Sequence, residues 1–150
     1  MDDETDQHSD IVSERVSINK QIMTLTVAEK IKLAMLGNKE ARSILIKDAN
    51  KLVSTAVFNN PRISDPEVVD AVKSRNISEE VLRIISNNRA WLRNYQVKCG
   101  LVNNPKTPLG IALKLINHLT IKDLKNLANS KNVPNVISTA AKNAFQKRSR

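Results

Sequence analysis

One pattern begins three times between Asn60 and Asn143, with a period of about 28 residues that lies in the range of stacked helical repeats and limits the fold more than any other feature. Rows starting at Asn60, Asn88 and Ile116 read NPRISDPEVVDAVKSRNIS, NRAWLRNYQVKCGLVNNPK and INHLTIKDLKNLANSKNVP. One polar column holds Asn76, Asn104 and Asn132. Apolar columns hold Ile63/Trp91/Leu119, Ala71/Cys99/Leu127, Val81/Leu109/Ile137, Ile84/Ala112/Ala140 and Ile85/Leu113/Ala141. Val53, Ala56 and Val57 extend the last three columns backward, so a degenerate fourth copy is expected over about Lys32 to Asn59. A unit this short cannot bury its own apolar face and must stack on a neighbour. The expected fold is therefore all-α, a right-handed α-solenoid of about four helical pairs.

Local signals agree. Thr26 to Glu29 and Ser64 to Glu67 are capping boxes, in which a hydroxyl takes one free backbone donor and a glutamate reaches back to another. Gly37 is read as a left-handed helix stop and the turn asparagines as caps that tolerate the same conformation. A single long helix is expected from about Ala90 to Leu101, and Thr107-Pro108 is expected to cap the helix that follows. No alternating strand pattern occurs. At 150 residues the chain is read as one domain over 21–147, preceded by a disordered acidic tail at 1–20 and ending in a frayed basic 148–150.

Charge is unevenly placed. The net charge of +9 conceals six acids and one arginine within residues 1–15, and thirteen Lys or Arg against the single acid Asp123 from Val81 onward. Such a surface attracts anions. Aromatics make up only 3% of the chain, so the core must be aliphatic, and base stacking has little to work with. The lone Cys99 excludes an intramolecular disulfide and a multi-cysteine metal centre, and it reads as a small buried apolar residue. No apolar run approaches the roughly 20 residues that span a bilayer. The N-terminus lacks a secretory core segment, and a cytoplasmic address is expected.

The asparagine-proline turns followed by short helices, VFNNPRISDPEVVDAV and VNNPKTPLGIALKLINHL, resemble the leucine-rich repeat variant class of bacterial α-solenoids and, more loosely, HEAT-like repeats. The likeness runs over about residues 30 to 143 and implies a binding surface rather than a particular partner. Some members of the variant class carry an iron–sulfur cluster on several cysteines, which this chain lacks, so no cofactor is implied. Some helical-repeat proteins of the wider class bind DNA or excise damaged bases.

Two groups of residues are candidate contacts. In the column before the turn asparagine stand Lys47, Arg75, Asn103 and Lys131, with Lys106 beside the gap at Asn103. Arg75, Lys106 and Lys131 would line one edge beside the starts of the second helices, where backbone donors and cations together favour an anion. They also end the first helices, where cations answer the helix dipole. The second group is Arg89, Arg93 and Tyr95. Trp91 falls in a core column, but Tyr95 aligns with Glu67 and Asp123 on the surface, and two arginines at a helix start break a local rule. A plainer account pairs Arg93 with Asp65, Glu67 or Asp123.

Nothing in the pattern supports catalysis. His118 has no second histidine or carboxylate pair at working spacing, and there is no glycine-rich phosphate loop. The sequence thus reads as a non-enzymatic helical-repeat module whose basic C-terminal half docks an acidic protein. A duplex DNA or RNA binder comes second and a DNA-repair enzyme third. The opposed charges also suggest that the tail from Asp2 to Glu14 competes with the partner. Removal of residues 1–15 is expected to raise affinity at low ionic strength, and an unchanged dissociation constant would refute that competition.

Overall fold

A computed structural model describes residues 17–150 and is helical, with no strand among the described residues. Most of the expected tail lies outside the described residues; its last part, 17–20, belongs to helical residues 17–23, here α1. Packing divides the chain into two compact units, Met1–Pro61 and Arg62–Arg150, at an asparagine-proline turn inside the region read from sequence as one domain.

The first unit continues with α2 (Val27–Leu36), α3 (Lys39–Leu45), α4 (Lys51–Ala56) and a 3-10 turn, Val57–Asn59. Thr26 and Glu29 form the expected capping box. Gly37 ends α2 but is extended, with φ −75° and ψ 170°, and no described residue has a positive φ. The glycine is needed for space instead: a Cβ there would lie 2.5 Å from the Leu33 carbonyl oxygen. Ala34, Leu45, Val53 and Val57 fill the core of this unit, and α2 packs on α3 and α4. Buried Asn60 closes it by donating through Nδ2 to the carbonyls of Ala34 and Gly37, at 3.1 and 3.0 Å.

The second unit holds α5 (Asp65–Lys73), α6 (Glu79–Ser86), α7 (Arg89–Leu92), α8 (Tyr95–Asn103), α9 (Leu109–Ile116), α10 (Ile121–Ala128) and α11 (Asn135–Arg148). Ser64 and Glu67 form the second capping box, with proline in the first turn of α5. The long helix expected from Ala90 to Leu101 is two helices. Asn94 turns extended and its side chain accepts from the Gln96 amide at 2.9 Å, which starts α8 afresh after α7 has ended at Leu92.

This break explains where the repeat register slips. The buried positions of the first helices are Val68, Val97 and Leu124, and those of the second are Ile85, Leu115 and Ala141. Val97 falls one place later than the period carries it from Val68, and Leu115 falls two places later than Leu113, the match for Ile85; Leu124 and Ala141 are back in step. The average is kept, but the middle copy lags. Leu109, expected in the core beside Val81 and Ile137, is consequently 44% exposed, and Gly100 rather than Cys99 takes the place of Ala71 and Leu127.

α5 and α8 approach closely at Gly100: a Cβ there would lie 2.3 Å from Val72 Cγ2. Buried Asn104 then ties the two ends together, donating through Nδ2 to the carbonyls of Val72 and Ser74 at 2.8 and 2.9 Å. It does in this unit what Asn60 does in the first. Replacing Asn104 by Ala leaves two carbonyls without their donor and is expected to cost about 2 kcal/mol. Gly100→Ala, which forces α5 and α8 apart, should cost about 1–3 kcal/mol. Urea denaturation measures both, and wild-type midpoints would contradict the closure described.

Candidate functional site

Three equivalent turns build one edge of the second unit. Ser74-Arg75-Asn76, Asn104-Pro105-Lys106 and Ser130-Lys131-Asn132 follow the ends of α5, α8 and α10. In each, the first side chain accepts from the amide two positions on: Ser74 Oγ from Asn76 at 3.2 Å, Asn104 Oδ1 from Lys106 at 3.0 Å, and Ser130 Oγ from Asn132 at 3.2 Å. The next residue is buried in all three, as Ile77, Thr107 and Val133, and the one after it caps α6, α9 or α11 as Ser78, Pro108 or Pro134. Every turn therefore presents one exposed cation, Arg75, Lys106 or Lys131. In the first unit Asp48-Ala49-Asn50 forms a turn of the same kind, but its middle residue carries no charge and Asp48 pairs with Lys30 at 3.0 Å.

Local topology gathers these turns. The ends of α5 and α8 meet through Asn104. A cleft of about 180 Å³ opens between them, with Lys73, Arg75, Asn103 and Pro105 on its walls, so Arg75 comes close to the turn that carries Lys106. α9 packs on α11, and Arg148 near the end of α11 donates to the Leu119 carbonyl just beyond the end of α9, at 2.6 Å. The two helices therefore run in the same direction, and their starts, next to Lys106 and Lys131, face the same way.

Both starts are chemically unusual for this chain. Pro108 and Pro134 offer no capping side chain, and neither first turn holds an acid. Ile111 and Ile137 donate back to the Pro108 and Pro134 carbonyls, at 3.0 and 2.9 Å, which leaves the amides of Leu109, Gly110, Asn135 and Val136 open at the positive ends of the helix dipoles. Proline at the cap also moves Thr107, expected to be the cap, one residue outward into the position of Ile77 and Val133. Its hydroxyl is buried there with no hydrogen-bond partner, at a cost of about 1–3 kcal/mol. Leu109 and Val136 stand exposed in the same first turns, at 44% and 52%.

The remaining sequence candidates lie at the opposite edge, where α8 and α10 begin. Arg89 and Arg93 are exposed on either end of α7, and because the long helix is broken, Arg93 closes a helix rather than opening one. Tyr95 is half-buried and its hydroxyl is engaged. It donates to Asp123 Oδ2 at 2.5 Å and accepts from the Thr120 amide at 3.0 Å. Asp123, offered in sequence as a partner for Arg93, is thereby occupied by Tyr95, while Glu67 caps Ser64. Cys99, half-buried rather than buried, points its thiol at the same carboxylate, 3.7 Å away.

No family model, curated protein or solved structure matches the chain. Chemistry must accordingly be read from the site alone. Among the described residues no three His, Cys, Asp or Glu come together as a metal site, and no helix is long and apolar enough to cross a membrane. The Tyr95 hydroxyl holds the Asp123 carboxyl below the usual carboxylate range. Burial, and then the bond to Asp123, raises the Tyr95 phenol; burial raises the Cys99 thiol, which makes it a poor nucleophile at neutral pH. The group is a latch between α8 and α10. The Asn104 tie, the equivalence of the three turns and the exposure of Leu109 and Val136 escaped the sequence reading. The paired Ser-x-Asn strings at 74–76 and 130–132 were the available signal for the turns.

Asp123 is favoured as its anion in the fold. Its contribution is complete above the unfolded carboxylate range near pH 4 and fades as pH falls through the lowered folded value. Tyr95→Phe is expected to lose about 1 kcal/mol at neutral pH and to show a shallower acid decline than wild type. Parallel stability curves between pH 2 and 7 would rule the latch out.

Proposed function

We propose that this chain is a non-enzymatic helical-repeat binding module, an α-solenoid of the leucine-rich repeat variant or HEAT-like kind. In this reading its basic C-terminal half docks an acidic protein surface in the cytoplasm. The repeat reading is supported by the order of helix pairs, by buried apolar positions whose mean period matches that of the sequence rows, and by three like turns in the second unit.

One observation carries the functional reading. Of the thirteen Lys and Arg from Val81 onward, all but Lys98 are exposed, while the single acid of that region, Asp123, is tied up by Tyr95. Arg83 is paired with Glu79 at 2.6 Å and Asp123 keeps its charge while bonded to Tyr95, which still leaves a large excess of exposed cations. Its field therefore draws anionic macromolecules and rejects basic ones. A protein is favoured over a nucleic acid because the same unit exposes aliphatic Leu109, Ile121 and Val136. A phosphodiester chain has no use for such groups. Duplex DNA or RNA held through phosphates alone is the second reading, and it draws on the same exposed cations.

Titration of the full chain with a polyglutamate-rich polypeptide and with a duplex oligonucleotide, each at low and physiological salt, separates the two. The acidic polypeptide is expected to bind more tightly and to keep measurable affinity at physiological salt. Duplex binding that exceeds it and weakens steeply with salt would transfer the function to nucleic acid. No binding of either at low salt would remove both readings.

A further inference from the structure

Resting on the acidic-protein reading, we propose that its docking site is the edge where α9 and α11 begin, and that the segment bound there is an acidic peptide bearing aliphatic side chains. Its carboxylates lie against Arg75, Lys106 and Lys131 and the two uncapped helix starts; its aliphatic groups cover Leu109 and Val136.

Four independent features converge on this edge. The cations come from three equivalent turns and so stand at structurally repeated places rather than at random on a basic surface. The first turns of α9 and α11 lack both a capping side chain and an acid, so their amides seek an outside acceptor. By contrast α10, which starts at the far edge, carries Thr120 and Asp123 for this purpose. Leu109 and Val136 present apolar surface directly beside those amides, at 44% and 52% exposure. Finally, Gly110 occupies the first turn of α9 with nothing within 4 Å of where its Cβ would stand. No packing requirement accounts for it, and glycine in a helix is otherwise unfavourable; it keeps the backbone open to a close approach from outside.

Charge complementarity selects an acidic occupant, and the aliphatic pair selects a polypeptide. The cleft bounded by Lys73, Arg75 and Pro105 is the natural seat for one acidic side chain of that segment, since Asn104, which also lines it, already engages the carbonyls of Val72 and Ser74.

The test uses the full chain and two labelled synthetic peptides of equal length and charge, one alternating glutamate with leucine and the other glutamate with serine, followed by fluorescence anisotropy. The glutamate–leucine peptide is expected to bind about tenfold more tightly, as the burial of apolar surface predicts. Leu109→Ala combined with Val136→Ala should erase that difference, and Lys106→Gln combined with Lys131→Gln should weaken both peptides by about tenfold. Arg89→Gln combined with Arg93→Gln, on the opposite edge, should change neither by more than about twofold. All six positions are exposed, so circular dichroism is expected to show intact folds. Equal binding of the two peptides, or equal losses from changes at either edge, overturns this site while leaving acidic-protein binding standing. Failure of both peptides to bind while a duplex oligonucleotide does bind overturns the site and the parent reading together.

Discussion

The second unit depends on a side-chain amide buried where two helices end. Asn104 has two amide protons and two carbonyls to satisfy, those of Val72 and Ser74, and it meets both while its own oxygen fixes the turn to Lys106. Unpaired carbonyls at a helix end are costly, and the close approach of α5 and α8 at Gly100 brings Asn104 within reach of both. The proline that follows cannot continue the helix and offers no competing donor. From this knot the chain turns at Lys106 and enters α9.

Much of this was legible in the residues. The helical class, both capping boxes and most of the apolar columns follow from spacing alone, because helix caps are local chemistry and a buried stripe must repeat. The left-handed stop at Gly37, the buried place of Leu109 and the reading of Asn104 as no more than a cap fail for a common reason. Each was assigned from what its residue type usually does, whereas its role is set by distant neighbours: a carbonyl 2.5 Å from where a Cβ would stand for Gly37, the end of α5 for Asn104, and a lag begun at Asn94 for Leu109. A strict period hides a lag that is later recovered.

The candidate contacts divide in the same way. Arg75, Lys106 and Lys131 stand in turns of one kind, yet Lys106 occupies its turn's third place and the other two the second, whereas a fixed period sets Lys106 three places off their column. Arg89 and Arg93 read in sequence as cations at the start of one long helix, beside a surface Tyr95. With the helix interrupted they are a cation at each end of α7 and a phenol committed to Asp123. The positive field belongs to the whole unit and Ile121 stands exposed at the far edge, but uncapped helix starts beside exposed aliphatic groups, Leu109 and Val136, occur together on one side.

From Val68 to Leu124 in one set of helices, and from Ile85 to Ala141 in the other, the chain advances by the same total even though Val97 and Leu115 both arrive late between them. Extra chain taken up between α7 and α9 is returned before α10 begins, so the last helix pair stands in step with the first. The segment from Asn87 to Asn94 is thus a natural slack point, the place where a tag or reporter loop could be spliced into the middle of this protein without reaching the edge on which its cations and open amides gather.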